Sequence, residues 1–300
     1  MLANFFGKSK PVNFVVLFAL FFTFFTFSSF SKGFSFETVK ELFWFITLFS
    51  VFNFIIVKNK ITFDNSYAFF FYIILIGFFS ETINIDTTFY ANLTILLFLR
   101  KVYSLQTSKK TLHKLFDGGL WLGISFIIEP LTVVFAFLLY ASTYLHQRYT
   151  YQTILTPLIG FFSPVFLYFT YYFWYDKTEV FYQLFNWNID YNFEIYLSEN
   201  YLIPIIFIGF CTVFSLFLKT PKTLAIKNKF RKNWILILIH LISATFLIAF
   251  FNERRINELL FIFFPTAIIL TNGLELIKKK FIVDIILIFF IIFSFVSFFL

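Results

Sequence analysis

The sequence predicts an all-α, polytopic transmembrane protein, and three observations carry that reading. Sixty per cent of its 300 residues are hydrophobic, 13% are charged, and the mean hydropathy is +0.84. About eleven apolar segments alternate with short polar loops, where a bilayer core takes ~20 apolar residues per helical span. The charges also sort by side. With the N-terminus cytoplasmic, 19 of the 24 Lys and Arg residues fall on inner loops and 12 of the 16 acids on the opposite face. Basic loops resist translocation, so this bias orients the chain. Lipid offers no partner to unpaired backbone groups, which makes repeated apolar runs helices. The strand alternation of an outer-membrane barrel is absent.

The first apolar run covers 11–30, behind Lys8 and Lys10, with Pro11 in the tolerated first turn. No small-residue cleavage site follows Phe30, so the run reads as an uncleaved anchor. An outer loop carrying Lys32, Glu37, Lys40 and Glu41 leads into a span at 42–57, and Lys58 and Lys60 return the chain inside. The span at 67–80 exits into a polar outer segment with Glu81, Asn84 and Asp86. A short span at 88–99 is stopped by Arg100 and Lys101. The most basic stretch, 100–114, is expected to lie as an amphipathic helix on anionic lipid.

Lys114 and Arg148 fall on one side only if the chain turns back at Glu129-Pro130. Proline removes a backbone donor and disfavours helix before it, so two short helices meeting in a hairpin are expected. Beyond them lies a span at 154–174 with Pro157, Gly160 and Pro164. The outer loop 175–200 mixes aromatics with acids and suits the membrane interface. Spans at 201–218, 234–251 and 259–276 follow, and Lys278, Lys279 and Lys280 precede the last. No internal repeat is evident, so residues 1–300 read as a single integral membrane domain in a bacterial inner membrane.

The net charge of +8 is dispersed over inner loops and explained by topology, so no nucleic-acid partner is expected. Cys211 is the only cysteine, and His113, His146 and His240 form no ligand pair. No nucleotide fingerprint, nucleophile elbow or zinc-protease motif occurs. What remains is on the outer face. Glu81 and Asp86 could share a divalent cation or divide acid and base roles, the alternative being a solvated loop in which Asp86 starts a helix. Glu129 reads either as the edge of a site or as an acid stabilised at the start of the re-entering helix. Arg254 and Arg255 break the charge rule, and their planar forks suit a lipid phosphate. The alternative there is an ion-pair cluster with Glu253 and Glu258.

The motif order resembles the polytopic C-type glycosyltransferase superfamily, which moves sugars from polyprenyl-phosphate carriers at the outer membrane face. Three stretches carry the likeness: NIDTTFYANLTILLFLRKVY, GGLWLGISFIIEPLTVVFAFLLY and ERRINELLFIFFPTAIILTNGLE. The resemblance puts Asp86 at the family's outer-loop aspartate and Glu129 where a Lys is more usual before the proline. It puts Arg254 and Arg255 in the late Arg-containing loop. The family's catalytic acid follows its first span; here Glu37 and Glu41 are available, though neither sits directly at the span's end. The resemblance implies a polyprenyl-phosphate-linked sugar and membrane lipid as partners, with Glu37, Glu41, Glu81 or Asp86 as base or metal ligand. The chain also looks like an uncharacterised family of Bacteroidota inner-membrane proteins, in keeping with its Phe, Ile, Lys and Asn usage. The rival expectation is a non-enzymatic component: a partner subunit or a carrier of envelope lipids.

Overall fold

A computed structural model describes residues 1–30, 33, 35–187, 191–225, 229–251 and 254–299. Lys32 and Glu253, both named above, lie outside the described residues. Among the described residues fourteen α-helices follow one another: α1 (Leu2–Phe6), α2 (Pro11–Phe30), α3 (Phe36–Asn59), α4 (Tyr67–Phe78), α5 (Thr87–Ser104), α6 (Thr111–Ile128), α7 (Ala136–Leu145), α8 (Tyr151–Trp174), α9 (Thr178–Gln183), α10 (Glu194–Leu197), α11 (Glu199–Leu224), α12 (Lys229–Ala249), α13 (Leu260–Leu274) and α14 (Lys280–Phe299). Among the described residues no strand occurs. The protein is an all-α, multi-pass membrane protein.

Among the described residues seven helices, not eleven, have the length and apolarity to cross a membrane: α2, α3, α8, α11, α12, α13 with the short 3₁₀ turn before it, and α14. The remaining apolar segments form α4 to α7, which are shorter or more polar. At 12 residues α4 is ~18 Å long, against a hydrocarbon core of ~30 Å. The expected amphipathic helix at 100–114 is also corrected. Its first residues finish α5, a tight turn follows, and α6 opens at Thr111. Lys114 Nζ reaches back to Ser104 O at 2.6 Å, capping a carbonyl at the end of α5 instead of lying on lipid.

The chain forms two compact units. The first comprises residues 1–85, 193–234 and 259–300. Its centre is α4, buried along its whole length, and α13, buried except at half-buried Ile262, with α2, α11 and α14 packed on them. Both central helices are apolar around their whole circumference, as an enclosed helix must be. The outer helices instead expose large apolar groups such as Phe22, Phe210, Phe217, Ile288 and Phe289, as lipid-facing surfaces do. Phenylalanine fills the interior. Phe21 lies 4.9 Å from Phe45 and 4.8 Å from Phe49, and Phe52 stacks on Tyr72 at 3.9 Å.

The second unit comprises residues 86–192 and 235–258. Here α6 packs along α5 and α8, and against the 3₁₀ turn Pro130–Phe135 and α7. Glu129 takes an extended conformation (φ −141°, ψ 101°) that ends α6 before Pro130, so the expected hairpin forms. A Cβ on Gly119 would stand 2.1 Å from Pro157 O, one on Gly123 2.4 Å from Phe161 O, and one on Gly160 2.2 Å from Phe116 O. The two backbones therefore approach as only glycine permits, the small-residue contact of membrane helices. Hydroxyls inside the spans are satisfied locally: Ser163 and Thr170 donate to carbonyls four residues back.

Candidate functional site

The residues expected at an outer-face site divide between the two units. Glu37, Glu41 and Glu81 belong to the first, and Asp86, Glu129, Arg254 and Arg255 to the second. Glu37 stands exposed in the first turn of α3 and pairs with Lys40 at 2.7 Å, while Glu41 is half-buried one turn on. Glu81 lies in the 3₁₀ turn Ser80–Ile83 and accepts a 2.6 Å hydrogen bond from Tyr201 Oη at the start of α11. Tyr201 carried no signal in the sequence, where it was one of sixteen tyrosines.

Asp86 is the N-cap of α5. Its Oδ1 accepts from Phe89 N at 2.9 Å, and its Oδ2 accepts from Asn257 Nδ2 at 2.8 Å. Both carboxylate oxygens are engaged in holding local structure. Arg254 is equally committed. Its side chain is 4% exposed and donates to Ile248 O and, at 2.8 Å, to Ala249 O. These are the last carbonyls of α12, so the guanidinium closes that helix. Its fork also faces Glu258, at 3.8 Å, whose other oxygen accepts from Arg255 N at 2.6 Å. Arg255 keeps its own side chain exposed. Glu129 is half-buried, and its carbonyl accepts from Thr132 N and Oγ1. Among the described residues no three His, Cys, Asp or Glu side chains converge as a metal site.

The most elaborate polar centre lies elsewhere, in the first unit. Lys219 near the end of α11 and Glu275 capping α13 meet at 3.6 Å, with side chains only 5% and 4% exposed. Glu275 Oε1 also accepts from Phe63 N at 3.0 Å and Asn65 Nδ2 at 2.7 Å, which ties down the segment after α3. The Lys219 ammonium sits over the rings of Phe63 (5.4 Å) and Phe230 (4.9 Å), which stack on each other. Burial pushes the Glu275 carboxyl above the ordinary carboxylate range, against the opposing pull of the Asn65 amide, Lys219 and Phe63 N–H.

Two recesses flank this pinned segment and share Phe63 and Asn65 as a wall. One, about 520 Å³, has an apolar floor of Ile56, Val57 and Phe69 with Lys60 and Asp64 on its polar side. The other, about 310 Å³, is lined by Lys8, Lys278, Lys280, Asn4 and Glu275. Neither Lys219 nor Glu275 is among the residues that the sequence singles out. The available signal was an acid directly following a span that carries no charge.

The chain belongs to a family of unknown function (DUF6427), whose model matches residues 1–300. No curated protein and no solved structure matches it.

Proposed function

We propose that this family member is a non-enzymatic, multi-pass component of a bacterial inner membrane, a partner subunit or carrier for envelope lipids, with its N-terminus in the cytoplasm. The observation that carries this reading is the engagement of Asp86. An acid that takes a proton or a metal in a reaction must turn a lone pair towards the incoming group, whereas each oxygen of Asp86 accepts a bond that fixes its direction, one at the start of helix α5 and one from Asn257. The buried capping role of Arg254 supports the same conclusion, because a lipid phosphate would compete with two carbonyls and Glu258 for that fork. The bacterial assignment and the orientation rest on composition and on the charge sorting.

Asp86→Asn tests it. Asparagine serves as an N-cap as well as aspartate does. Rotation of the Asn257 amide by half a turn would let its oxygen accept from the new side chain. Full complementation of a deletion strain by Asp86→Asn is expected; complete loss of function in a variant that still inserts would overturn the reading.

One observation favours the transferase-like alternative. Glu81 is half-buried and binds Tyr201 through one oxygen. Transfer or handling of a polyprenyl-phosphate-linked sugar with Glu81 as base predicts that Glu81→Gln abolishes function and accumulates a lipid-linked sugar. Unchanged envelope glycans in that variant would remove the alternative.

A further inference from the structure

We propose that the recess lined by Lys8, Lys278 and Lys280 binds the phosphate of an anionic glycerophospholipid. This site is independent of the scaffold reading above and uses none of the outer-face residues.

Three lysines converge here from two separate parts of the chain. Lys8 comes from the turn between α1 and α2, Lys278 from the turn between α13 and α14, and Lys280 from the start of α14. A topological signal alone would need basic residues on the same face, with no reason to gather them around one cavity of about 310 Å³. Among the described residues the ammonium groups of Lys8 and Lys278 have no hydrogen-bond or ion-pair partner. Lys280 donates one bond, to Asn4 Oδ1 at 2.6 Å, and an ammonium retains two further protons. Glu275 also lines the recess, but its charge is met by Lys219, so three cations remain to face an incoming anion.

The cavity is built, because one of its walls is held by buried bonds. Asn65 and Phe63 are fixed by Glu275, and Tyr67 Oη donates to Ala3 O at 2.8 Å beneath the lysines. The choice of lipid over a soluble phosphate comes from α14. Its first turn supplies Lys280 and Val283 to the recess and exposes Phe281 and Ile282, 75% and 41% exposed, on the same turn. A headgroup seated on the lysines thus has an apolar strip beside it for its acyl chains. Basic pockets between membrane helices on the cytoplasmic side recognise anionic headgroups in this way.

Full-length protein in neutral detergent would be titrated with dioctanoyl phosphatidylglycerol, dioctanoyl phosphatidylcholine or inorganic phosphate, and the bound population read by native mass spectrometry. Saturable binding of the phosphatidylglycerol and not of the phosphatidylcholine is expected. Loss of the charge-assisted bonds should weaken it roughly tenfold or more in Lys8→Gln/Lys278→Gln/Lys280→Gln, with Lys58→Gln unchanged. The single Lys278→Gln, at an exposed side chain, keeps the fold and should itself reduce binding. Equal binding by wild type and all lysine variants would overturn the site. Displacement of the lipid by equimolar inorganic phosphate would overturn the lipid assignment in favour of a soluble anion.

Discussion

The two units hold their helices together in opposite ways. In the first, interdigitated rings separate the backbones, and the two glycines inside its central helices face side chains: a Cβ on Gly77 would meet the ring of Phe24 at 2.5 Å and one on Gly273 would meet Ser215 Oγ at 2.4 Å. In the second, α6 and α8 close until a backbone carbonyl oxygen is the nearest obstacle to a Cβ at Gly119, Gly123 and Gly160. Lipid tails are as apolar as the helices, so neither contact draws on hydrophobic burial, and both depend on fit. A ring can tilt when a neighbour changes, whereas a peptide plane inside a helix cannot. The first unit should therefore absorb apolar substitutions that the second refuses, and its vulnerability should be concentrated in the buried Lys219–Glu275 pair.

The largest effect is expected where that pair is broken. Glu275→Ala leaves Lys219 buried without its counter-charge, at a cost of ~3–5 kcal/mol in unfolding experiments in detergent. Lys219→Met/Glu275→Gln should recover most of this, since glutamine still accepts from Phe63 and Asn65. Burial of the Glu275 carboxyl also imposes a pH dependence. The folded-state carboxyl titrates above its unfolded value, so its contribution is complete below the ordinary carboxylate range and fades as pH rises through the folded value. A thermal melting temperature that falls over that window in wild type, and stays level in the double variant, would bear this out.

Next comes Gly119→Ala, which sets a methyl 2.1 Å from Pro157 O and should destabilise by about 1–3 kcal/mol as the helices part. In the first unit Phe52→Leu removes the stacked contact with Tyr72 and should cost only about 1 kcal/mol. A larger loss for Phe52→Leu than for Gly119→Ala would reverse the contrast between the units. Smallest of all is Gly209→Ala on α11, where a Cβ meets nothing within 4 Å. Its melting temperature should match wild type, with a change under roughly 0.5 kcal/mol.

Much of this fold was legible in the sequence because lipid imposes few alternatives. Apolar runs marked the helices, and Pro130 marked the turn between α6 and α7. The number of crossings was less legible, since hydropathy treats α4 and α14 alike and cannot tell an enclosed short helix from a spanning one. The basic segment at 100–114 misled for a related reason. Lysine beside a helix end can lie on lipid or reach back to a carbonyl, as Lys114 does, and composition is the same in both cases. At the candidate site, Asp86 as a helix start and Glu258 as an ion-pair partner were both readable from spacing. The contacts of Asp86 with Asn257 and of Glu275 with Lys219 join residues far apart in the chain, and no local pattern announces them.

The enclosure of α4 by α13 and α14 also sets an order of events during synthesis. Residues 67–78 leave the ribosome while the helices that will enclose them are still untranslated. Until residues 260–299 follow, α4 has neither the length to settle across the bilayer alone nor its late neighbours to lean on. It must wait, sheltered by α2 and α3 or by the insertion machinery, and the first unit closes only when its last helices slide into place. A pause in translation ahead of α13 would thus leave the chain's most apolar short helix without cover, and quality-control proteases would find it there.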